Sequence, residues 1–199
     1  MNEIIKHYDL LIAEDNDPVH DPAPLRAYMN KWDGAAFINA LGLTHDKSVL
    51  EIGVGTGRLA LRCAPMCKNL TGIDFSPETA RRARQNLAHC KNVKIICADF
   101  YKYEFQDRYD IIYSSLTFLH FQDKKTAVNK IARLLKPGGK AVLSLDKSQK
   151  KELDTGTRKI PLYPDNPDEI TELLRESGLE ITLKTQTEYA YILAADCPV

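Results

Sequence analysis

The chain has 199 residues with 27 basic and 27 acidic side chains, and 44% of its residues are hydrophobic. These values are typical of a globular protein with a buried core, and zero net charge argues against a protein that coats nucleic acid or an anionic membrane. No apolar run approaches the roughly 20 residues of a membrane-spanning helix. Charged residues interrupt the first nine positions, so we expect no signal peptide and no membrane association.

The cysteines indicate a reducing compartment. There are five of them, Cys63, Cys67, Cys90, Cys97 and Cys197, and none forms a Cys-x-x-Cys pair. An odd number without framework spacing argues against a disulfide-bonded secreted domain. Pro65 interrupts the segment between the first two, and no histidine cluster completes a tetrahedral metal site. The sequence therefore predicts a cytoplasmic protein with reduced thiols and no metal.

The N-terminal part contains a proline-rich stretch followed by a helical pattern. Pro18, Pro22 and Pro24 precede apolar positions that recur from residue 28 to residue 41 at helical spacing. Two interpretations stay open for this segment. It packs on a sheet as an extra helix, or it forms a flap that brings His20, Tyr28 or Trp32 to a bound substrate.

From residue 48 onward, short apolar runs alternate with amphipathic runs, which is the pattern of β-α-β units and a parallel sheet. The predicted strands are 48–52, 70–74, 93–98, 109–114 and 140–145. The predicted helices cover 58–64, the segment after an N-cap at Ser76, the segment from Asp123 to Pro137, and the segment from Asn166 to Gly178. The polar connection 147–166 is long enough to be a lid or binding loop.

The last two apolar runs, 179–185 and 188–194, are separated by only two residues. So short a link cannot carry a parallel crossover, and it predicts an antiparallel hairpin. The resulting fold class is α/β, a three-layer sandwich with a seven-stranded, mostly parallel sheet and an antiparallel C-terminal hairpin. We expect a single domain over 1–199, in which 1–44 is a helical segment and possible lid and 45–199 is the core.

The first strand runs into a glycine-rich turn, with Gly53, Gly55 and Gly57 following Glu51. Glycine allows a tight turn and close approach of a ligand to the backbone, and the next helix presents free N–H groups at its start. The dinucleotide fingerprint Gly-x-Gly-x-x-Gly would require a glycine at position 58, which is Arg. The phosphate-binding loop that ends in Gly-Lys-Ser/Thr does not occur here either.

A carboxylate stands at the end of each of the next two strands. Asp74 ends the second strand, where a carboxylate can accept hydrogen bonds from both hydroxyls of a ribose. Asp99 follows the third strand and precedes Phe100, a pair that suits the exocyclic amine and the flat face of adenine. The order of these features predicts an adenosine-containing ligand.

Together these features resemble the class I S-adenosylmethionine-dependent methyltransferases, a Rossmann-like superfamily. Residues 51–57 are similar to its first motif, Asp74 and Asp99 to its second-strand and third-strand acidic residues, and Lys-Pro-Gly-Gly at 136–139 to its turn before the fifth strand. The family's reversed terminal hairpin matches the one inferred above. The resemblance covers about residues 45–195.

The resemblance implies a binding role for ten residues toward S-adenosylmethionine. Those placed at its amino-acid portion are Glu51, Gly53, Gly55 and Gly57. Those placed at its ribose and adenine are Asp74, Phe75, Asp99 and Phe100. Ser115 and Leu116 are placed beside the sulfonium.

The predicted function is in-line methyl transfer to a small-molecule acceptor. The fourth strand ends in Tyr-Ser-Ser-Leu, not in the Asn/Asp-Pro-Pro-aromatic motif of enzymes that methylate nucleobase or glutamine nitrogens, and no Pro-Cys pair suggests cytosine methylation. The arginines at 81, 82 and 84 read as a solvated helix face, so no nucleic acid is expected. Two alternatives stay open, a cofactor-binding protein without transfer activity and an NAD(P)-dependent oxidoreductase, and the oligomeric state is open as well.

His120 is the candidate catalytic residue. It follows the fourth strand, and a neutral imidazole there would suit a general base that removes a proton from an oxygen or nitrogen nucleophile. The alternative role is a hydrogen bond to the substrate or within the protein. Tyr8, His20 and Tyr163 are further candidates for the base.

Overall fold

The computed structural model describes residues 2–199. Its strands are β1 (Ser48–Ile52), β2 (Asn69–Asp74), β3 (Val93–Cys97), β4 (Tyr109–Ser115), β5 (Leu135–Asp146), β6 (Glu152–Asp154), β7 (Lys159–Pro161), β8 (Glu180–Gln186) and β9 (Ala190–Asp196). Its α-helices are α1 (Asn2–Ala13), α2 (Ala23–Met29), α3 (Gly34–Leu41), α4 (Arg58–Cys63), α5 (Pro77–Asn86), α6 (Lys124–Leu134) and α7 (Pro167–Glu176). Short 3-10 turns cover Ala64–Met66 and Phe118–His120.

The main sheet has seven strands in the order β3-β2-β1-β4-β5-β9-β8. Strands β1 to β5 pair in parallel, whereas β9 is antiparallel to both β5 and β8. This confirms the predicted mostly parallel sheet with a reversed hairpin. The strand order changes direction between β1 and β4, and such a switch point opens a crevice at the carboxyl ends of the strands.

Two hydrophobic clusters separate the three layers of the sandwich. On one face, Leu50 and Ile52 of β1 pack with α6 and α7, where Ile131 and Ile170 are fully buried. On the other face, Val49 packs with α3, α4 and α5 around the fully buried Phe37. Alternate residues of β1 therefore point to opposite clusters, as expected of a central strand covered on both faces.

Three predicted helix starts are confirmed by side-chain caps. Ser76 accepts a hydrogen bond from the Thr79 N–H, and Asp123 accepts one from the Thr126 N–H. Asn166 accepts from the N–H groups of the first turn of α7. Each cap satisfies N–H groups that have no partner inside the helix.

The helical pattern over 28–41 was expected to be one helix, and it is two. Helix α2 ends at Met29, and α3 begins at Gly34, whose φ is +59°. Asp33 caps α3 by accepting from the Gly34 N–H at 2.6 Å. The left-handed backbone at a glycine breaks the helix although the apolar spacing continues across the break.

The sequence predicts that the segment 136–139 ends α6, but the structure shows that it does not. Helix α6 ends at Leu134, and these four residues lie inside β5, which is twelve residues long. A Cβ at Gly139 would lie 2.8 Å from the Lys136 carbonyl oxygen and 3.1 Å from that of Asp110. The glycine is therefore required by close backbone approach, where the pairing of β4 with β5 shifts register.

Two further elements were not predicted. The connection 147–166 contains the small antiparallel hairpin β6–β7, and the first residues of the described chain form α1. Within residues 2–199, no helix has both the length and the hydropathy needed to cross a bilayer.

Candidate active site

A cavity of about 460 Å³, open mouth included, lies at the carboxyl ends of β1, β2 and β3. Six of the residues singled out in the sequence line it, namely Gly53, Asp74, Phe75, Asp99, Phe100 and His120. The structure adds seven others, namely Ile4, Ile52, Ile73, Ala98, Tyr101, Thr117 and Phe121.

Asp74 is held in place from two sides by the backbone. Its Oδ2 accepts a hydrogen bond from the Gly55 N–H and its Oδ1 accepts one from the Ser76 N–H, each at 3.0 Å. Burial raises the pKa of this carboxyl, and the backbone hydrogen bonds oppose that effect. The carboxylate is thus fixed in orientation on the cavity wall, where each oxygen can accept further hydrogen bonds from a ligand.

The wall after β3 combines a carboxylate with aromatic rings. Asp99 accepts a hydrogen bond from the Tyr101 N–H at 2.9 Å, which closes a tight turn around Phe100. The Phe100 ring is 5% exposed and lies 5.9 Å from the Phe121 ring, measured between centroids. A flat apolar surface beside a hydrogen-bond acceptor can hold a planar heterocycle that carries an amine.

Glu51 does not line the cavity. It lies on the other face of β1, is 3% exposed, and accepts a hydrogen bond from the Tyr113 hydroxyl at 2.8 Å. Burial raises the pKa of Glu51 to about 8, although the Tyr113 hydrogen bond and the Arg58 charge oppose this shift. The structure therefore places this carboxyl beneath the glycine turn rather than on the ligand side.

The three glycines of the turn all have left-handed backbone, but their surroundings differ. A Cβ at Gly53 would overlap the Thr117 side chain, and one at Gly57 would lie 2.8 Å from the Leu87 Cδ1. A Cβ at Gly55 would meet nothing within 4 Å. Gly53 and Gly57 are thus packed against the protein itself, and Gly55 faces open space.

Ser115 and Leu116 do not line the cavity either. Ser115 donates a hydrogen bond from Oγ to the Asp33 carboxylate at 3.0 Å, and the buried Asp33 also pairs with the Arg58 guanidinium. Leu116 has φ +56°, a left-handed conformation that is unfavourable for a leucine. Such strained residues concentrate at functional sites.

His120 is paired with a residue from the opposite end of the chain. The Tyr8 hydroxyl of α1 lies 2.6 Å from His120 Nε2. Burial lowers the pKa of His120 to about 4, and the nearby His7 and Lys124 act in the same direction. Burial also raises the pKa of Tyr8. Both groups are therefore neutral at physiological pH.

Of the other candidate bases, neither His20 nor Tyr163 lines the cavity. His20 is exposed and contacts Asn86, and the Tyr163 hydroxyl contacts Gln122 at 3.5 Å. The predicted flap residues Tyr28 and Trp32 pack instead against Tyr189, with 4.7 Å between the Trp32 and Tyr189 rings.

Helix α1 covers the cavity and is fixed at several points. Ile4 contributes to the cavity wall, and Asp9 accepts hydrogen bonds from Ser76 Oγ at 2.7 Å and from the Glu78 N–H at 3.1 Å. Glu14 pairs with Arg158 in the loop between β6 and β7. The sequence analysis proposed a possible lid within residues 1–44 and named Tyr8 as a candidate base, but it predicted no helix over residues 2–13. The spacing of Ile4, Tyr8 and Ile12 is the helical signal that could have predicted it.

Residues 50–143 match the model of a protein family described as a methyltransferase domain. The chain is 31% identical over 99 residues to the malonyl-[acyl-carrier protein] O-methyltransferase 2 of Ilyobacter polytropus, a match that covers 49% of this chain and 38% of that protein. It is 28% identical over 204 residues to the ubiquinone biosynthesis O-methyltransferase of Thiobacillus denitrificans, covering 92% and 84% respectively. The matched segment spans less than half the length of the first curated relatives, between 36% and 45%.

Among solved structures, the fold is similar to that of the N-methyltransferase NodS from Bradyrhizobium japonicum WM9 in complex with S-adenosyl-L-homocysteine. The TM-score is 0.74 at 18% identity, with 99% of this chain and 100% of that chain covered. The matched domain, the strand order and the motif residues agree with one another. Residues 50–143 therefore belong to the methyltransferase domain family, and the chain as a whole has the Rossmann-like methyltransferase fold.

Proposed function

We propose that this protein binds S-adenosylmethionine in the cavity and transfers its methyl group to a small-molecule acceptor. The observation that carries the proposal is the fixed carboxylate of Asp74 on the cavity wall, with both oxygens oriented by backbone N–H groups. A carboxylate at the end of the second strand is the acceptor that a ribose diol requires.

The residues present fit an adenosyl group. Asp74 would accept from the ribose hydroxyls, Asp99 from the adenine amine, and Phe100 would pack on the ring with Phe75 at its border. Gly55, which faces open space, would accommodate the amino-acid portion together with Gly53 and Gly57. Glu51, Ser115 and Leu116 lie outside the cavity wall, so we propose that they support this portion of the site from behind.

When bound, S-adenosylmethionine supplies a methyl group on a positively charged sulfur. The side chains of this protein would orient the two reactants and keep water away from them. Helix α1 covers part of the cavity through Ile4, which would limit the access of water to bound reactants. Holding two reactants in line can supply about 7–11 kcal/mol of the barrier reduction in favourable cases. We propose that α1, rather than α2 or α3, is the lid within the segment 1–44.

The mostly apolar lining of the cavity, with a few fixed polar groups, supports a small acceptor or a small group on a larger carrier. The names of two relatives refer to O-methylation of malonyl-[acyl-carrier protein] and to ubiquinone biosynthesis. Both names are compatible with an acceptor group of modest size. The sequence features that argue against nucleic acid substrates also favour a small-molecule acceptor.

Isothermal titration calorimetry with S-adenosylmethionine, S-adenosylhomocysteine and NAD tests the cofactor. We expect the first two to bind, and Asp74→Asn to weaken them about 10- to 100-fold, since hydrogen bonds to a charged group contribute roughly 1.5–3 kcal/mol. Asp107→Asn, at an exposed position, is the matched control. Binding of NAD alone, or unchanged affinity in Asp74→Asn, would contradict the assignment.

A panel of metabolites with a labelled methyl donor then tests transfer. Labelled product with at least one small molecule is the expected result. Cofactor binding without any labelled product would favour the alternative of a binding protein that lacks transfer activity.

A further inference from the structure

The contact between Tyr8 and His120 determines where the imidazole carries its proton. A phenol keeps its proton at neutral pH, and the short distance of 2.6 Å is that of an O–H donating to a nitrogen lone pair. Within residues 2–199 the Tyr8 hydroxyl has no other hydrogen-bond partner. If Nε2–H were the donor instead, the phenol proton would have no acceptor among the described residues. Tyr8 therefore donates to Nε2.

A neutral imidazole that accepts at Nε2 must carry its hydrogen on Nδ1. This Nδ1 is closed to solvent and has no hydrogen-bond partner in the described part of the chain. A buried donor without an acceptor is unfavourable. His120 lines the cavity, so a ligand that enters beside it and uncovers this N–H would supply the acceptor that the N–H lacks.

Among the residues that the structure describes, the groups around the cavity offer no free base. The groups that face His120 are Tyr8 and His7 on α1 and Lys124 on α6, and none of them favours a positive charge on the imidazole. Among the other titratable residues of the wall, Asp74 and Asp99 are assigned to the cofactor, and the Tyr101 hydroxyl donates to the Asp123 carbonyl. An acceptor atom that must first lose a proton finds nothing here to take it.

We infer, building on the proposed function, that Tyr8 is a positioning residue that holds His120 as an Nδ1–H donor, and that this donor binds a carboxylate of the methyl acceptor. A carboxylate oxygen forms the new O–CH₃ bond with its own lone pair while the carbon–sulfur bond breaks and its electrons remain on sulfur. The products are a methyl ester and a neutral thioether, and no proton is taken up or released. The site thus needs a hydrogen-bond donor rather than a base.

Nuclear magnetic resonance of protein labelled with ¹⁵N-histidine tests this inference without knowledge of the acceptor. Two-bond nitrogen–proton correlations should show His120 as the neutral Nδ1–H tautomer from pH 8 to pH 5.5, both free and with S-adenosylhomocysteine. Tyr8→Phe should remove this single tautomer, whereas the exposed control Tyr28→Phe should leave it unchanged. Sodium formate should shift the Nδ1–H resonance in the wild type, and formamide, its uncharged analogue, should not.

An Nε2–H tautomer, an imidazolium at pH 7, or an unchanged tautomer in Tyr8→Phe would overturn the role of Tyr8. If formate and formamide shift the Nδ1–H resonance equally, or if neither shifts it, the inference that this donor binds a carboxylate would be overturned. Calorimetry of S-adenosylhomocysteine on the same samples separates this inference from the proposed function. If the cofactor does not bind, the proposed function fails, while the tautomer in the free protein still decides the role of Tyr8.

Discussion

Replacing Glu51 by glutamine should stabilise the cofactor-free protein, and increasingly so as the pH rises. The glutamine amide keeps an oxygen that can accept from the Tyr113 hydroxyl but carries no charge into the buried site. In the wild type, burial raises the pKa of Glu51 to about 8, so the folded state holds a proton that the unfolded chain releases above its ordinary value of 4.5. Wild-type stability is therefore greatest below pH 4.5 and declines until about pH 8.

The size of the effect follows from the pKa shift. A rise from 4.5 to about 8 corresponds to a ceiling of about 5 kcal/mol at 1.36 kcal/mol per pH unit. Because Glu51 is only 3% exposed, solvent does not screen its charge. Relaxation around the charge reduces the penalty, and we expect Glu51→Gln to gain about 2–4 kcal/mol at pH 8 and little at pH 4.5.

Urea unfolding between pH 4.5 and pH 9 measures this difference, with Glu180→Gln at an exposed position as the control. The gap between Glu51→Gln and the wild type should grow between pH 4.5 and pH 8 and stay constant above it. A gap that does not change with pH would refute the reasoning. Calorimetry on the same variant should show weaker S-adenosylmethionine binding, because we place the carboxylate behind the ammonium-binding part of the site.

Three further changes test the packing and chemistry of the site. Gly53→Ala should lower the free energy of unfolding by about 2–4 kcal/mol in thermal unfolding, because its Cβ would clash with Thr117, which follows β4. The control Gly156→Ala, with a similar φ and open surroundings, should cost only about 1 kcal/mol. Equal losses in the two variants would argue against the clash. Lys124→Met should destabilise by about 3–5 kcal/mol because it leaves the Asp165 carboxylate buried without its partner, and adding Asp165→Asn should recover part of this loss in denaturant titrations; no recovery would mean that the lysine acts mainly through the carbonyls it contacts. The rate of methyl transfer to any acceptor identified by the labelled panel tests His120. His120→Asn, whose amide N–H can replace Nδ1–H, should keep a rate within about tenfold of the wild type, and His120→Gln should lose more. If His120 were a general base, both variants would lose roughly 10²–10⁴-fold in rate.

The parts of the fold that follow from local sequence could be predicted. The strand that precedes Gly53, the strand that ends at Asp74 and the cap at Ser76 each depend on residues close together in the chain, and the structure confirms these elements. The short link between β8 and β9 likewise restricts the hairpin to an antiparallel arrangement. Turn chemistry and apolar period are sufficient in these places because no distant contact competes with them.

The rest depends on contacts between distant segments. Tyr8 and His120 are 112 positions apart, and Ser115 meets Asp33 from 82 positions away, so no spacing rule indicates either pair. The end of α6 was wrongly predicted for a related reason. The glycines after Leu134 allow β5 to approach β4 closely. In the sequence alone, where the neighbouring strand is not visible, the same Pro-Gly-Gly pattern indicates the end of a helix.

Helix α1 makes the ceiling of the cavity from a segment outside the sheet. Its side chains meet the binding walls through Ile4 and Tyr8, while Asp9 and Glu14 attach it to α5 and to the loop between β6 and β7. Substitutions at Ile4 and Tyr8 would change the shape of the cavity without disturbing the strands that form its base. If the proposed function holds, selectivity for the methyl acceptor can be changed at a few residues of one helix, while the residues proposed to hold the adenosyl group stay the same.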